Sequence, residues 1–111
     1  MGVIALALTV ALALVGKTGA TFDAKAKTLS ARGAAAADLR APSAQIARVK
    51  AERAARAQAE KKLAAAIGEL RFDGDADELA KKAAIASEDY GSDGSVELVL
   101  TLDVSDLQRR K

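Results

Sequence analysis

The chain contains no cysteine and no histidine. Without cysteine there is no thiol nucleophile, no disulfide and no lipid-bearing residue of the lipoprotein type. Without histidine the commonest general base is missing, and the two absences together remove the usual zinc ligand sets. Aromatics are almost as scarce: Phe22, Phe72 and Tyr90 are the three in 111 residues. A core drawn from Ala, Leu, Ile and Val with so few rings is shallow. A chain of this length supports one domain of modest stability, which association would reinforce. Proline occurs once, at Pro42.

Half the residues are hydrophobic, and formal net charge is +2, so average charge steers no particular partner. The distribution is uneven. Residues 40–62 carry Arg40, Arg48, Lys50, Arg53, Arg56, Lys61 and Lys62 against Glu52 and Glu60, whereas residues 72–106 are mostly acidic. Complementary halves of one domain account for this pattern.

Val3 to Val15 reads VIALALTVALALV. The run is too short for a membrane-spanning helix, which needs about twenty residues, and fits the apolar core of a secretory signal, about 7–15 residues. Thr18-Gly19-Ala20 offers a cleavage site before Thr21, and Ala24-Lys25-Ala26 offers another before Lys27. Residues 1–20 are therefore expected to be a signal helix, or an uncleaved membrane anchor. The basic residues that normally open such a signal are missing. A small domain is expected over 25–105 and a charged tail over 106–111.

Within the domain, Lys25–Arg32 alternates weakly and predicts a strand ending at Gly33. Pro42 and Ser43 predict a turn and a helix cap. Ala44 to about Leu70 then reads as one long helix rich in Ala, Arg, Lys, Glu and Gln. Glu52 and Arg56 are spaced for an i,i+4 pair. Val49, Leu63, Ile67 and Leu70, with Ala55, Ala59 and Ala66, predict a small-residue stripe for close packing on a sheet. Asp75 or Asp77 is placed to cap a short helical turn through Leu79 and Lys81. Val96, Leu98, Leu100, Leu102 and Val104 alternate with mostly polar residues and predict a half-buried strand. Asp93-Gly94 before it is a hairpin signal, so residues 83–90 should be its partner strand. The fold class is α+β, in the order β–α–β–β: one long helix packed on a small, mainly antiparallel sheet.

This order and three segments within it look familiar. The strand at Thr28–Gly33 ends in glycine, the helix carries AERAARAQAEKKLAAAI at 51–67, and the hairpin reads SEDYGSDGSVELVLTL at 87–102. Together they resemble the bacterial envelope family named after a twenty-kilodalton outer-membrane lipoprotein, and the related N-terminal domain of flagellar assembly protein T. The resemblance spans about residues 27–105, without the lipid-bearing cysteine. It implies an exported structural or interaction role at the cell envelope or outer membrane, with no catalytic residues to carry over.

Asp73, Asp75 and Asp77 match the opening of an EF-hand calcium loop, but Glu78 stands where glycine is expected and Ala84 where the bidentate glutamate is expected. A weak calcium site at 73–78 is the alternative reading; a solvated capping loop is the plainer one. The helical cations spread around the helix with no aromatic residues between them, which does not suit nucleic acid. The serines have no histidine to activate them, and no glycine pattern forms a phosphate loop. The expectation is a non-enzymatic exported protein, periplasmic or secreted, without cofactor. Its partner would be another envelope protein or a second copy. The free edge of the 25–32 or 83–90 strand, or the exposed side of the helix, would carry that contact. Membrane contact is expected only through residues 3–15, if these are uncleaved. A cytoplasmic nucleic-acid-binding protein is the distant alternative.

Overall fold

The computed structural model describes residues 12–37 and 39–108. Its strands are β1 (Leu12–Leu14), β2 (Thr21–Asp23), β3 (Thr28–Ala35), β4 (Ala84–Tyr90) and β5 (Val96–Asp103); its helices are α1 (Ala44–Glu69) and α2 (Ala76–Lys81). The strands form one sheet in the order β1-β2-β3-β5-β4, with every neighbouring pair antiparallel. The α+β class, the long helix and the C-terminal hairpin stand as the sequence predicts. The β1–β2 hairpin is additional.

Local chemistry sets each element. The Ser43 hydroxyl accepts the Ile46 N–H at 3.1 Å and opens α1, directly after Pro42. The helix ends in a Schellman motif: the Phe72 N–H donates to the Ile67 carbonyl and the Arg71 N–H to the Gly68 carbonyl, both at 3.1 Å. Arg71 takes the left-handed position, φ +60°, that glycine usually fills. Asp75 caps α2, its Oδ1 accepting the N–H groups of Asp77 and Glu78. On β5, Val96, Leu98, Leu100 and Leu102 are buried, as strict alternation requires.

Two strand boundaries differ from expectation. β3 starts at Thr28, because the Asp23 carboxylate accepts the Lys25 and Ala26 N–H groups and bends residues 24–27 into a turn. It also runs through Gly33 to Ala35. Gly33 marks where α1 crosses the sheet: a Cβ placed there would lie 1.8 Å from the Ala55 carbonyl oxygen. The glycine serves close approach and not termination. Around this crossing α1 buries Ala51, Ala55, Ala59, Leu63, Ala66 and Ile67 against β3 and β5. Val49, expected on the same stripe, is exposed, since burial along α1 begins at Ala51.

The N-terminal region also differs. Residues 3–11, most of the expected signal helix, lie outside the described residues. Leu12–Leu14, its last part, is instead a strand paired with β2. A short continuous apolar run does not separate strand from helix, and here Gly16 (φ +51°) and Gly19 (φ +84°) turn the chain back. Val15 and Ala20 enter the core. The packed unit therefore begins before residue 25.

Candidate functional site

The sheet has margins of three kinds. β1 bounds one side, with three described residues. β2 covers β3 from Thr28 to Ser30. Beyond Ser30 the margin of β3 is closed by side chains from α1. Gln58 Oε1 accepts the Ala34 N–H at 2.8 Å, and Lys62 Nζ donates to the Arg32 carbonyl at 2.8 Å. Of the two strand edges that the sequence leaves open, this one is filled.

β4 is the other edge, and among the described residues no strand lies outside it. All seven of its residues are exposed, including Ile85 and Tyr90. It pairs with β5 from Ala84↔Thr101 to Tyr90↔Val96, with a bulge between Ile85 and Ser87. The helix that covers β3 and β5 leaves β4 uncovered, so its two faces and its outer edge meet solvent.

Above β4, α1 supplies a polar border. The Tyr90 hydroxyl donates to Glu88 Oε1 at 3.2 Å and reaches Glu52 Oε2 at 3.5 Å. The guanidinium carbon of Arg48 sits 5.2 Å from the Tyr90 ring centroid, a cation–π contact. Partial desolvation, the hydrogen bond to Glu88 and the nearby carboxylate charges hold the Tyr90 phenol above its ordinary pKa. Glu52 is thus turned toward Tyr90. Arg56, its expected i,i+4 partner, pairs with Glu60 at 2.9 Å and donates to the Ala83 carbonyl at the foot of β4. Below, on the opposite face, Arg32 of β3 bridges to Glu97 of β5 at 3.0 Å. Asp89 stands directly across from Glu97, a like-charge pair. A shallow concavity of about 480 Å³ opens where β3 and β4 end and β5 begins, lined by Ala34–Ala36, Asp89–Gly91 and Ser95–Glu97.

The acidic loop is organised differently from a cation site. Among the described residues no group of three or more carboxylates is gathered to hold a metal ion, so Asp73, Asp75 and Asp77 do not converge. The Asp75 carboxylate serves as a helix cap, and the Asp73 N–H donates to the Gln108 carbonyl at 2.7 Å. Several helical cations have partners inside the fold: Arg48 on Tyr90, Arg56 on Glu60 and Lys62 on β3. No described helix is long and apolar enough to cross a membrane.

The sequence marks β4 through the Asp93-Gly94 turn and the alternation of β5. It does not show that Tyr90, Arg48 and Glu52 meet, because that depends on how α1 crosses the sheet. No protein-family model matches the chain, and no curated protein or solved structure does either.

Proposed function

We propose that this protein is a non-enzymatic interaction module of the cell envelope, and that β4 is the element it presents. The observation that carries this reading is the contrast between margins: one open stretch is closed by Gln58 and Lys62, while a seven-residue edge strand is left with every residue exposed. Unpaired strand edges bind extended chains through backbone hydrogen bonds, and adjacent side chains select among them. Ile85, Tyr90, Glu88 and Asp89 are the side chains available for that selection. Export rests on the apolar run at 3–15 and on the resemblance to the twenty-kilodalton lipoprotein family. If the chain is exported, residues 12–20 travel with the domain as part of its sheet.

A photo-crosslinking residue at Ser87, compared with one at the exposed Ala65 on α1, tests the contact in the cells that make the protein. Covalent adducts from Ser87 and none from Ala65 are expected. Absence of any adduct from Ser87 would sink the interaction reading. Fractionation of the same cells, with the mature N-terminus read by mass spectrometry, tests export. A cytoplasmic product retaining Met1 would remove the envelope from the proposal.

A further inference from the structure

The two carboxylates of β4 are neighbours in sequence, so they fall on opposite faces of the sheet. Glu88 is registered with the buried Leu98 and lies on the α1 face; Asp89 is registered with the exposed Glu97 and lies on the other. Each meets a second carboxylate there. On the α1 face, Glu88 and Glu52 share the Tyr90 hydroxyl, at 3.2 and 3.5 Å. On the opposite face, Asp89 stands directly across from Glu97, an arrangement that costs stability unless a cation offsets it. Two like-charge pairs therefore flank the last residues of the edge, one above the sheet and one below.

The cations of the fold are engaged elsewhere around these pairs. Arg32 reaches Glu97 from the β3 side, and Arg48 lies on the Tyr90 ring. Glu52, Glu88 and Asp89 make no ion pair among the described residues. Lys81 ends α2 and Lys82 caps it, so both precede the strand, and β4 itself carries charge of one sign. The approach left open to both pairs is the outer edge of β4, where no described strand lies.

A strand laid along that edge alternates in step with β4. Its residue beside Glu88 falls on the α1 face, and the next, beside Asp89, falls on the other. Two consecutive cationic side chains would thus give each carboxylate pair a counterion. Cations two positions apart would crowd onto one face, and an acidic segment would add to the repulsion.

We infer that the β4 edge takes an extended segment of another protein bearing two adjacent basic residues, Lys or Arg, one set against Glu88 and Glu52 and the other against Asp89 and Glu97. This inference rests on the interaction-module reading and names the chemistry of its partner. Backbone pairing with β4 supplies the attachment, and the dibasic step sets the register.

Fluorescence anisotropy of short dye-labelled Thr/Val peptides, titrated with the full chain, tests it. One peptide carries two adjacent lysines at its centre. A second has the same composition with the lysines two positions apart, a third has adjacent glutamates, and a fourth is the first with its amides N-methylated. The adjacent-lysine peptide should bind about tenfold more tightly than the glutamate peptide and several-fold more tightly than the spaced one. The N-methylated peptide should not bind. Asp89→Lys, which leaves the Tyr90–Glu88 bond alone, should weaken the adjacent-lysine peptide about tenfold. Asp106→Lys, the same charge change in an exposed residue after β5, should leave it unchanged. Far-UV circular dichroism checks that both variants are folded. Equal binding of the adjacent and spaced peptides, undiminished binding to Asp89→Lys, or tight binding of the N-methylated peptide overturns the inference, as does no binding of any peptide. The Ser87 crosslink separates the two levels: an adduct with a protein lacking a dibasic segment keeps the interaction module and removes this partner, and no adduct removes both.

Discussion

β3 and β4 flank the same central strand, yet the chain treats them in opposite ways. On β3, Gly33 lets the α1 backbone come down onto the sheet, and Gln58 and Lys62 bond the Ala34 N–H and the Arg32 carbonyl beyond β2. On β4, no residue is buried and the outer edge is unpaired among the described residues. The difference lies in side-chain volume and reach. Small residues on β3 draw the helix close enough for long polar side chains to cap its margin. β4, one strand further out on the other side of β5, lies beyond that reach. Where packing is tight the chain has placed its small residues; where it is open it has placed Glu88 and Asp89.

The comparison breaks most directly at Gly33. Gly33→Ala puts a methyl group against the Ala55 backbone, which a rotamer change cannot relieve. A loss of about 3 kcal/mol or more in urea unfolding is expected, with Gln58 and Lys62 drawn off β3. A variant as stable as wild type would mean that the helix does not seat on this glycine.

The registered pair Ile85↔Leu100 sharpens it, because one residue is 41% exposed and the other 0%. Leu100→Ala should cost about 2–5 kcal/mol. Ile85→Ala should cost under about 1 kcal/mol. Similar costs at the two positions would show that β4 is covered after all.

The third edge is probed by deleting residues 1–20. That removes β1 and the buried Val15 and Ala20, and about 2–4 kcal/mol of stability should go with them. A truncated chain with an unchanged melting curve would place the domain start after residue 20, as a cleavable signal requires.

The smallest effect belongs to the hairpin that holds β4. The Asp93 carboxylate accepts the Ser95 hydroxyl at 2.7 Å and the Ser95 N–H at 3.0 Å, and these bonds lower its pKa. A lowered native pKa contributes stability above the ordinary carboxylate range and loses it as pH falls through the native value. Asp93→Asn should therefore be slightly less stable than wild type at pH 7, with the gap closing below about pH 4. A gap that persists into acid would assign the effect to turn geometry instead of charge. Asp103, lowered by Ser105 in the same way, should add a parallel acid loss.

Much of this architecture is legible in the residues because its causes are local. The α1 cap at Ser43, the run of helix formers behind it, the alternation of β5 and the Asp93-Gly94 turn each depend on neighbours a few positions away. The β1–β2 hairpin escapes that reading: Leu12–Leu14 continues an apolar run that also suits a signal, and the turn at Gly16–Gly19 shows only once the chain is seen to fold back. Gly33 reads locally as a stop and is tertiary in origin. The edge at β4 is half legible. Its strand follows from the hairpin, but its exposure depends on where α1 lies, and so does the meeting of Tyr90 with Arg48 and Glu52. The acidic triplet shows the converse: of the ligand-like spacing of Asp73, Asp75 and Asp77, Asp75 caps a helix.

The crossing at Gly33 has a mechanical consequence. Along α1 the residues facing the sheet run Ala51, Ala55, Ala59, Leu63 at intervals of four, like teeth on a rack, with Gly33 as the pawl. Three of the teeth are identical, so glycine alone would tolerate a helix slipped by one turn. The fourth tooth settles the setting. Advancing the rack would drive Leu63 into the position of Ala59, whose backbone nitrogen already lies 3.0 Å from where a Gly33 Cβ would be. Retreating would leave alanine where leucine fills the core. With no polar or charged residue buried among those described, it is size within the core, one leucine after three alanines, that indexes the helix along its track, and the bonds from Gln58 and Lys62 to β3 lock the setting at the margin.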